Sequence, residues 1–484
     1  MPQSLSERTA AGVSWSVLEG LSNQGVTFFV GLVLARLLTP GEYGLVGIIT
    51  IFISVFSAIV DSGLSSALVR NKRATTLDYD TAFGANIGIS IIMYVILFFL
   101  AVPIASFFAN EDLVILTRVL GLLLIINAVS IVQRTLMSKQ LDFKIQTKVA
   151  VVASVASGVI GICMAFCGYG VWSLVCQQLS LQSIQTILIW IWSDWVPSLQ
   201  FSLLSFKSMF TFGWKLMISS LINSIWNEAY QLVIGRFYTP ASLGQYTRAK
   251  QFADIFSSNL TSVIQRVTYP ALAEIQDEGK RTKEAYRRLL KVTMLVTFLL
   301  MFGLASTSES LIYSLIGTQW DKAVEYLPLI CFQLVFYPLS AINLNILMVK
   351  GRSDIYLYLE IVKKTIALIP LALGIFVGIY YMLVGSAVYG LLAYLLNSYY
   401  SGKYINYSLK EQLYDIFPSF AISVVVSFLM FIVGSVPASY PVRLVLQIVI
   451  GISAASIIVR LTYYSEIKPY VVLGLGHIEK IKKH

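Results

Sequence analysis

LVLARLLTPGEYG at residues 32–44 and LVIGRFYTPASLG at residues 232–244 share Leu, Val, Arg, Thr, Pro and Gly at six of their thirteen positions. That many identities at one fixed offset mark an internal repeat. Each copy closes one apolar run and opens the next. Pro40 or Pro240 stands in the turn and Gly44 or Gly244 near the start of the following helix, where turn chemistry favours them.

Apolar runs fill nearly the whole chain of 484 residues, of which 57% are hydrophobic and 12% charged. Soluble domains carry about a quarter charged residues. A span needs about twenty mostly apolar residues, because a helix rises 1.5 Å per residue across roughly 30 Å of hydrocarbon. The runs predict an all-α polytopic membrane protein of about fourteen spans. Six lie near 12–37, 43–68, 83–108, 113–136, 148–167 and 171–192. Six more lie near 211–237, 243–268, 289–315, 324–349, 355–378 and 382–401, and a last pair near 417–436 and 442–463. Six spans separate the repeat copies, so both halves keep one orientation about an axis along the membrane normal. The expected organisation is a six-helix lobe at 1–205, a second at 206–405, a helix pair at 406–464 and a basic tail at 465–484. Parallel, pseudo-symmetric lobes of this kind enclose a central cavity.

The net charge of +10 would point to nucleic acid in a soluble protein, but here the positions of the charges decide. Arg70, Lys72, Arg73, Arg134, Lys139, Lys144, Lys280, Arg281, Lys283, Arg287, Arg288, Lys350, Arg352, Lys403 and Lys410 sort to one side, with Lys468, Lys480, Lys482 and Lys483 in the tail. Glu42, Glu111, Asp112, Glu309, Asp321 and Glu325 sort to the other. The positive-inside rule then makes both termini cytoplasmic. Ser-Leu-Ser-Glu-Arg before the first apolar run, and Glu19 inside it, argue against a cleavable signal. Cys163, Cys167, Cys176 and Cys331 lie in apolar runs without metal-ligand spacing, and His477 and His484 lie in the polar tail.

Intramembrane polar groups cost several kcal/mol unless they face a cavity or one another. They concentrate in the first two spans of each half. Span 1 carries Ser16, Glu19, Asn23 and Thr27, and span 7 carries Ser219, Asn223, Asn227 and Tyr230, at spacings of three and four. Span 8 presents Gln251, Asp254, Ser258, Thr261 and Gln265 in one stripe beside Arg248 and Lys250, and span 2 keeps Asp61. Spans 3, 5, 6, 13 and 14 are nearly uniformly apolar. A cavity lined by spans 1, 2, 7 and 8 follows. Plainer roles compete: Arg36 and Arg236 as snorkelling or helix-capping residues, Asp61 as a local cap, and Glu19, Glu228 and Asp254 as partners of Lys215, Lys250 or Arg248. Lys363 and Lys364 are expected to reach the interface, and Trp190, Trp192 and Trp195 to form an interfacial anchor.

The outward loops are too short to hold an enzyme's active site, so no enzyme is expected. TYPALAEIQDEGKRTKEAYRRLLK at 268–291 is a charged connector without a motif. The absence of a GxxxxGK[ST] loop excludes a nucleotide-driven pump, and filter-like repeated loops are missing. Secondary transport by alternating access remains.

ARLLTPGEYGLVGIITIFISVFSAIVDSGLSSALVR at 35–70 resembles the N-terminal signature of bacterial polysaccharide exporters of the Wzx type, in the multidrug, oligosaccharidyl-lipid and polysaccharide exporter superfamily. GYGVWSLVCQQL at 168–179, YTRAKQF at 246–252, YPALAEIQDE at 269–278 and IGTQWDKAVEYLPLI at 316–330 resemble it further. The resemblance implies a V-shaped cavity and a flippase in the bacterial cytoplasmic membrane. Its cargo would be an undecaprenyl-diphosphate-linked oligosaccharide for O-antigen, capsule or exopolysaccharide assembly. Cations would stabilise the diphosphate, with Arg36, Arg236, Arg248 and Lys250 as candidates and Lys215 as a weaker one. Glu19, Asp61, Glu228 and Asp254, with the amides Asn23, Asn223 and Asn227, supply polar lining or sites for a coupling H+ or Na+. No cofactor, metal or nucleic acid is expected. The expected partners are membrane lipids and the lipid-linked oligosaccharide, with polysaccharide polymerase and chain-length proteins nearby, and the protein is expected to be a monomer. The rivals are a cation-coupled drug exporter of the same superfamily and a non-transporting scaffold for polysaccharide enzymes.

Overall fold

The computed structural model describes residues 24–61, 63–140, 143–198 and 200–462, and every regular element among them is a helix. Ser16, Glu19 and Asn23, and the basic tail with its two histidines, lie outside the described residues.

The described part of the first span is α1, Gln24–Leu37. Chain direction then reverses at Thr39. Its backbone N–H donates to Glu42 Oε2 at 2.6 Å, and the Glu42 N–H donates back to the Thr39 hydroxyl at 3.4 Å. With Pro40 pre-set at the first helical position, this reciprocal cap launches α2, Pro40–Asp61. The span expected over 43–68 is two helices, because Gly63 adopts a φ of 68° before α3, Leu64–Arg70. Its backbone lies against the Gly213 carbonyl, so a side chain there is excluded.

α4, Thr76–Phe108, begins seven residues earlier than the apolar run implied (76 against 83), since Thr75 and Asp78 form a capping box. The next expected span is divided at Gly121 into α5, Asp112–Leu120, and α6, Leu122–Lys139. α7, Phe143–Phe166, and α8, Val171–Trp192, follow the sequence reading closely. α9, Leu203–Phe237, and α10, Pro240–Glu274, are 35 residues each. α10 starts like α2, with Thr39 replaced by Thr239, whose hydroxyl accepts from the Ser242 N–H at 3.2 Å.

The charged stretch 268–291 is not a loop. α10 continues to Glu274, and α11, Gly279–Ser306, takes up again after one turn. Then come α12, Ser308–Leu315, α13, Asp321–Leu334, α14, Tyr337–Val349, α15, Ser353–Ile366, and α16, Leu368–Phe376. α17, Ile379–Tyr404, α18, Leu409–Gly434, and α19, Tyr440–Thr462, complete the described chain.

Among the described residues, ten helices are long and apolar enough to cross a membrane, and the protein is a multi-pass, all-helical membrane protein. α9 and α10 are long enough but too polar to be among the ten. Packing divides the chain into two compact units, Met1–Thr247 and Arg248–His484, with the boundary inside α10. In the first unit α2, α3 and α4 pack on α9, although the repeat assigns α9 to the second half of the sequence. In the second unit α11 packs on α18, which holds α19, and α17 packs on α13, α14 and α16.

Two expectations about large side chains are corrected. Trp190 and Trp195 pack with Tyr79, Phe83 and Met209 in the core of the first unit rather than forming a belt, and Trp190 Nε1 donates to the Val129 carbonyl at 3.0 Å. Only Trp192 of the three is exposed. Lys363 does not reach outward. It is buried and paired with Glu360, which stands one turn back on the same helix face.

Candidate functional site

In the first unit the two repeat turns meet. A Cβ on Gly44 would run into the carbonyl of Pro240, and one on Gly244 into the carbonyl of Pro40, with Gly44 N 3.2 Å away. α2 and α10 therefore cross backbone to backbone within their first turns, a geometry that only glycine permits. Around the crossing, a Cβ on Gly235 would lie 3.0 Å from Phe108 and 3.3 Å from Ile48. The repeated Thr-Pro pair and the repeated glycine thus have one structural role each, as cap and as crossing point. Arg36 and Arg236 are both exposed beside the turns, and the Arg236 guanidinium lies over the Phe107 ring, 4.6 Å from its centroid.

α9 carries the polar stripe expected of span 7. Lys215, Ser219, Asn223 and Asn227 are all exposed, and the Lys215 ammonium is 6.0 Å from the Trp214 ring centroid. Glu228 is half-buried. It accepts from Ser54 of α2 at 3.4 Å and from Gln231, so this carboxylate joins α2 to α9. Asp61 is exposed and accepts from Ser65 at 2.7 Å, a local partner at the end of α2.

In the second unit, Arg248 is buried and donates to Gln251 Oε1, while Lys250 and Asp254 are half-buried, one helical turn apart. Ser258 and Gln265 are exposed on the same helix. Thr261 does not belong to the open stripe. It is 4% exposed and returns its hydroxyl to the Ser257 carbonyl at 2.7 Å. Chemically, the exposed guanidinium, ammonium and amide groups of α1 and α9 can donate to phosphate oxygens and sugar hydroxyls.

Several polar groups escaped the sequence reading. Asp80 of α4 is 2% exposed and accepts from the Ser198 backbone N–H at 3.1 Å and from the Ser198 hydroxyl, which ties the approach to α9 onto α4. In the second unit, Asn343 accepts from Tyr286 and Ser401 and donates to Ser398 at 3.0 Å. Arg287 makes a two-pronged contact with Asp415, at 2.5 and 2.7 Å. No spacing in the sequence brings these partners together. The nearest signal was the basic run 280–291 itself.

Residues 33–325 match the family described as polysaccharide biosynthesis protein. The chain belongs to this family. This polysaccharide biosynthesis protein is 30% identical to the teichuronic acid biosynthesis protein TuaB of Bacillus subtilis over 309 residues, 63% of this chain and 64% of that one. It is 27% identical to the succinoglycan biosynthesis transport protein ExoT of Rhizobium meliloti, over 64% of this chain and 63% of that one. It is 25% identical to the lipopolysaccharide biosynthesis protein WzxC of Escherichia coli, over 77% and 76% respectively. The chain thus spans somewhat less than two thirds of the length of TuaB and ExoT. Its fold is that of the lipid II flippase MurJ in an inward closed conformation, with a TM-score of 0.75, 14% identity and coverage of 94% of this chain and 100% of that one. A multidrug resistance MATE family transporter in an inward-facing conformation gives a TM-score of 0.59 at 16% identity, over 79% of this chain and 95% of that one.

Proposed function

We propose that this polysaccharide biosynthesis protein is a secondary transporter that flips an undecaprenyl-diphosphate-linked oligosaccharide across the cytoplasmic membrane by alternating access, for O-antigen, capsule or exopolysaccharide assembly. The observation that carries the proposal is the polarity of α9 and α10. These helices are long enough to span and are flanked in sequence by helices apolar enough for lipid, yet they hold exposed amides, hydroxyls and cations. A hydrated sugar cannot cross hydrocarbon, so a carrier must offer it polar surface at membrane depth while the lipid tail stays in the bilayer. Membership of the polysaccharide biosynthesis family supports the cargo class.

In this proposal Arg36, Arg236, Arg248 and Lys250, with Lys215, stabilise the diphosphate. Asn223 and Asn227, together with Asn23, meet sugar hydroxyls, and Asp61, Glu228, Asp254 and Glu19 are the candidates for coupling to H+ or Na+. The proposal keeps two six-helix lobes at 1–205 and 206–405, an added helix pair and cytoplasmic termini. It also keeps a single chain as the working unit, with the polymerase and chain-length proteins as neighbours. Deleting the gene should make lipid-linked repeat units accumulate, read by mass spectrometry of extracted lipids. Normal levels of these intermediates, together with normal surface polysaccharide, would refute the proposal.

A further inference from the structure

The first three turns of α11 line a concavity of about 520 Å³ with Arg281, Glu284, Ala285, Arg287, Arg288 and Lys291. The spacings of three and four place these residues on one helix face. Four cations therefore share one surface with a single carboxylate.

Their partners divide them by role. Arg287 is held on both prongs by Asp415, and the same carboxylate accepts from the Tyr407 hydroxyl at 2.6 Å and lies 3.6 Å from Lys291. Asp415 is 3% exposed, so it fixes these two cations from behind rather than covering them. Arg281 pairs with Glu278 at 3.1 Å, both well exposed, a contact that contributes little and exchanges easily. Arg288 is exposed and makes no hydrogen bond or ion pair among the described residues. The concavity thus combines two pre-positioned cations with two available ones.

Its depth in the membrane follows from the same helix. From Val292 to Ser306 α11 carries no charge. At 1.5 Å per residue, the cations of 281–291 stand within about 15 Å of the point where the helix enters hydrocarbon, the zone of lipid headgroups. Basic clusters at that level are attracted to anionic lipid, each added Lys or Arg strengthening the binding. Arginine forks also match phosphate oxygens.

We propose that this face of α11 binds the phosphate of an anionic phospholipid, at a site separate from the residues assigned to the cargo. The test uses the full chain in detergent, titrated with phosphatidylglycerol or phosphatidylcholine and read by thermal melting and by native mass spectrometry of retained lipid. Phosphatidylglycerol should raise the melting temperature and remain bound, whereas phosphatidylcholine should do neither. Arg281→Ala with Arg288→Ala should weaken phosphatidylglycerol binding by about tenfold or more. Arg281→Lys with Arg288→Lys should keep most of the affinity, and Glu284→Lys should tighten it. The two lysine-bearing variants decide the matter if the alanine pair does not fold. Equal affinity of the alanine pair, a loss of affinity in Glu284→Lys, or equal stabilisation by phosphatidylcholine would overturn the proposal. Full competition by inorganic phosphate at matched concentration would overturn it in favour of a free anion.

Discussion

Gly44 and Gly244 are the residues on which the repeat turns depend. Each faces a proline carbonyl of the opposite copy, with no room for a methyl group. Gly44→Ala must push α2 and α10 apart, and overpacking of this kind costs about 1–3 kcal/mol. Gly88 of α4 has open space around its missing Cβ, so Gly88→Ala should be neutral or mildly stabilising, by up to about 1 kcal/mol. Thermal melts of the two variants in one detergent check the pair. A Gly44→Ala variant as stable as Gly88→Ala would contradict the close crossing. Arg36 and Arg236 behave differently from the glycines they accompany. They are exposed beside the crossing, where a guanidinium can still reach a phosphate oxygen.

Helices were easier to read than their ends and partners. α8 matches the apolar run that predicts it, because Gly170 and Ser193 bound a segment without internal charge. The start of α4 was missed because the Thr75–Asp78 box is polar and precedes the apolar run. The break at Gly63 was missed because one glycine inside an apolar stretch gives no local sign of its φ. The connector reading of 268–291 failed for a related reason. A charged run reads as loop unless its partner is known, and Asp415 lies 128 residues away from Arg287. The polar stripe of α9 was legible from its spacing, whereas the burial of Thr261 on α10 depends on packing that spacing does not encode.

The α11–α18 pair gives this argument a test. Asp415→Ala removes the shared acceptor of Arg287, Tyr407 and Lys291. Because Asp415 is buried while Arg287 is half-exposed, the expected cost is about 1–3 kcal/mol, below that of a fully buried pair. Asp415→Asn keeps an acceptor and should cost less. Denaturant or thermal unfolding of the two variants measures the difference, and equal stability to the parent in both would show that the pair contributes nothing to holding α18 on α11.

For the whole chain, the repeat and the packing give two divisions. The sequence repeats at an offset of 200 residues (232 against 32), while packing divides at Thr247, because α9 packs on α2, α3 and α4. A helix that belongs to one half by sequence and packs with the other ties the repeated halves together. α9 also carries the exposed stripe of Lys215, Ser219, Asn223 and Asn227, so its position and its polarity bear on the same question of transport. Arg36, Arg236 and Lys215 are the residues to vary, since all three are exposed. The most direct measurement is translocation of a fluorescent undecaprenyl-diphosphate-linked oligosaccharide in proteoliposomes containing the purified protein. The proposed function predicts protein-dependent movement between leaflets, reduced at least about tenfold when Arg36 and Arg236 are both replaced by alanine, with folding intact. Absence of movement with the folded parent protein, or full activity in the double variant, would contradict it.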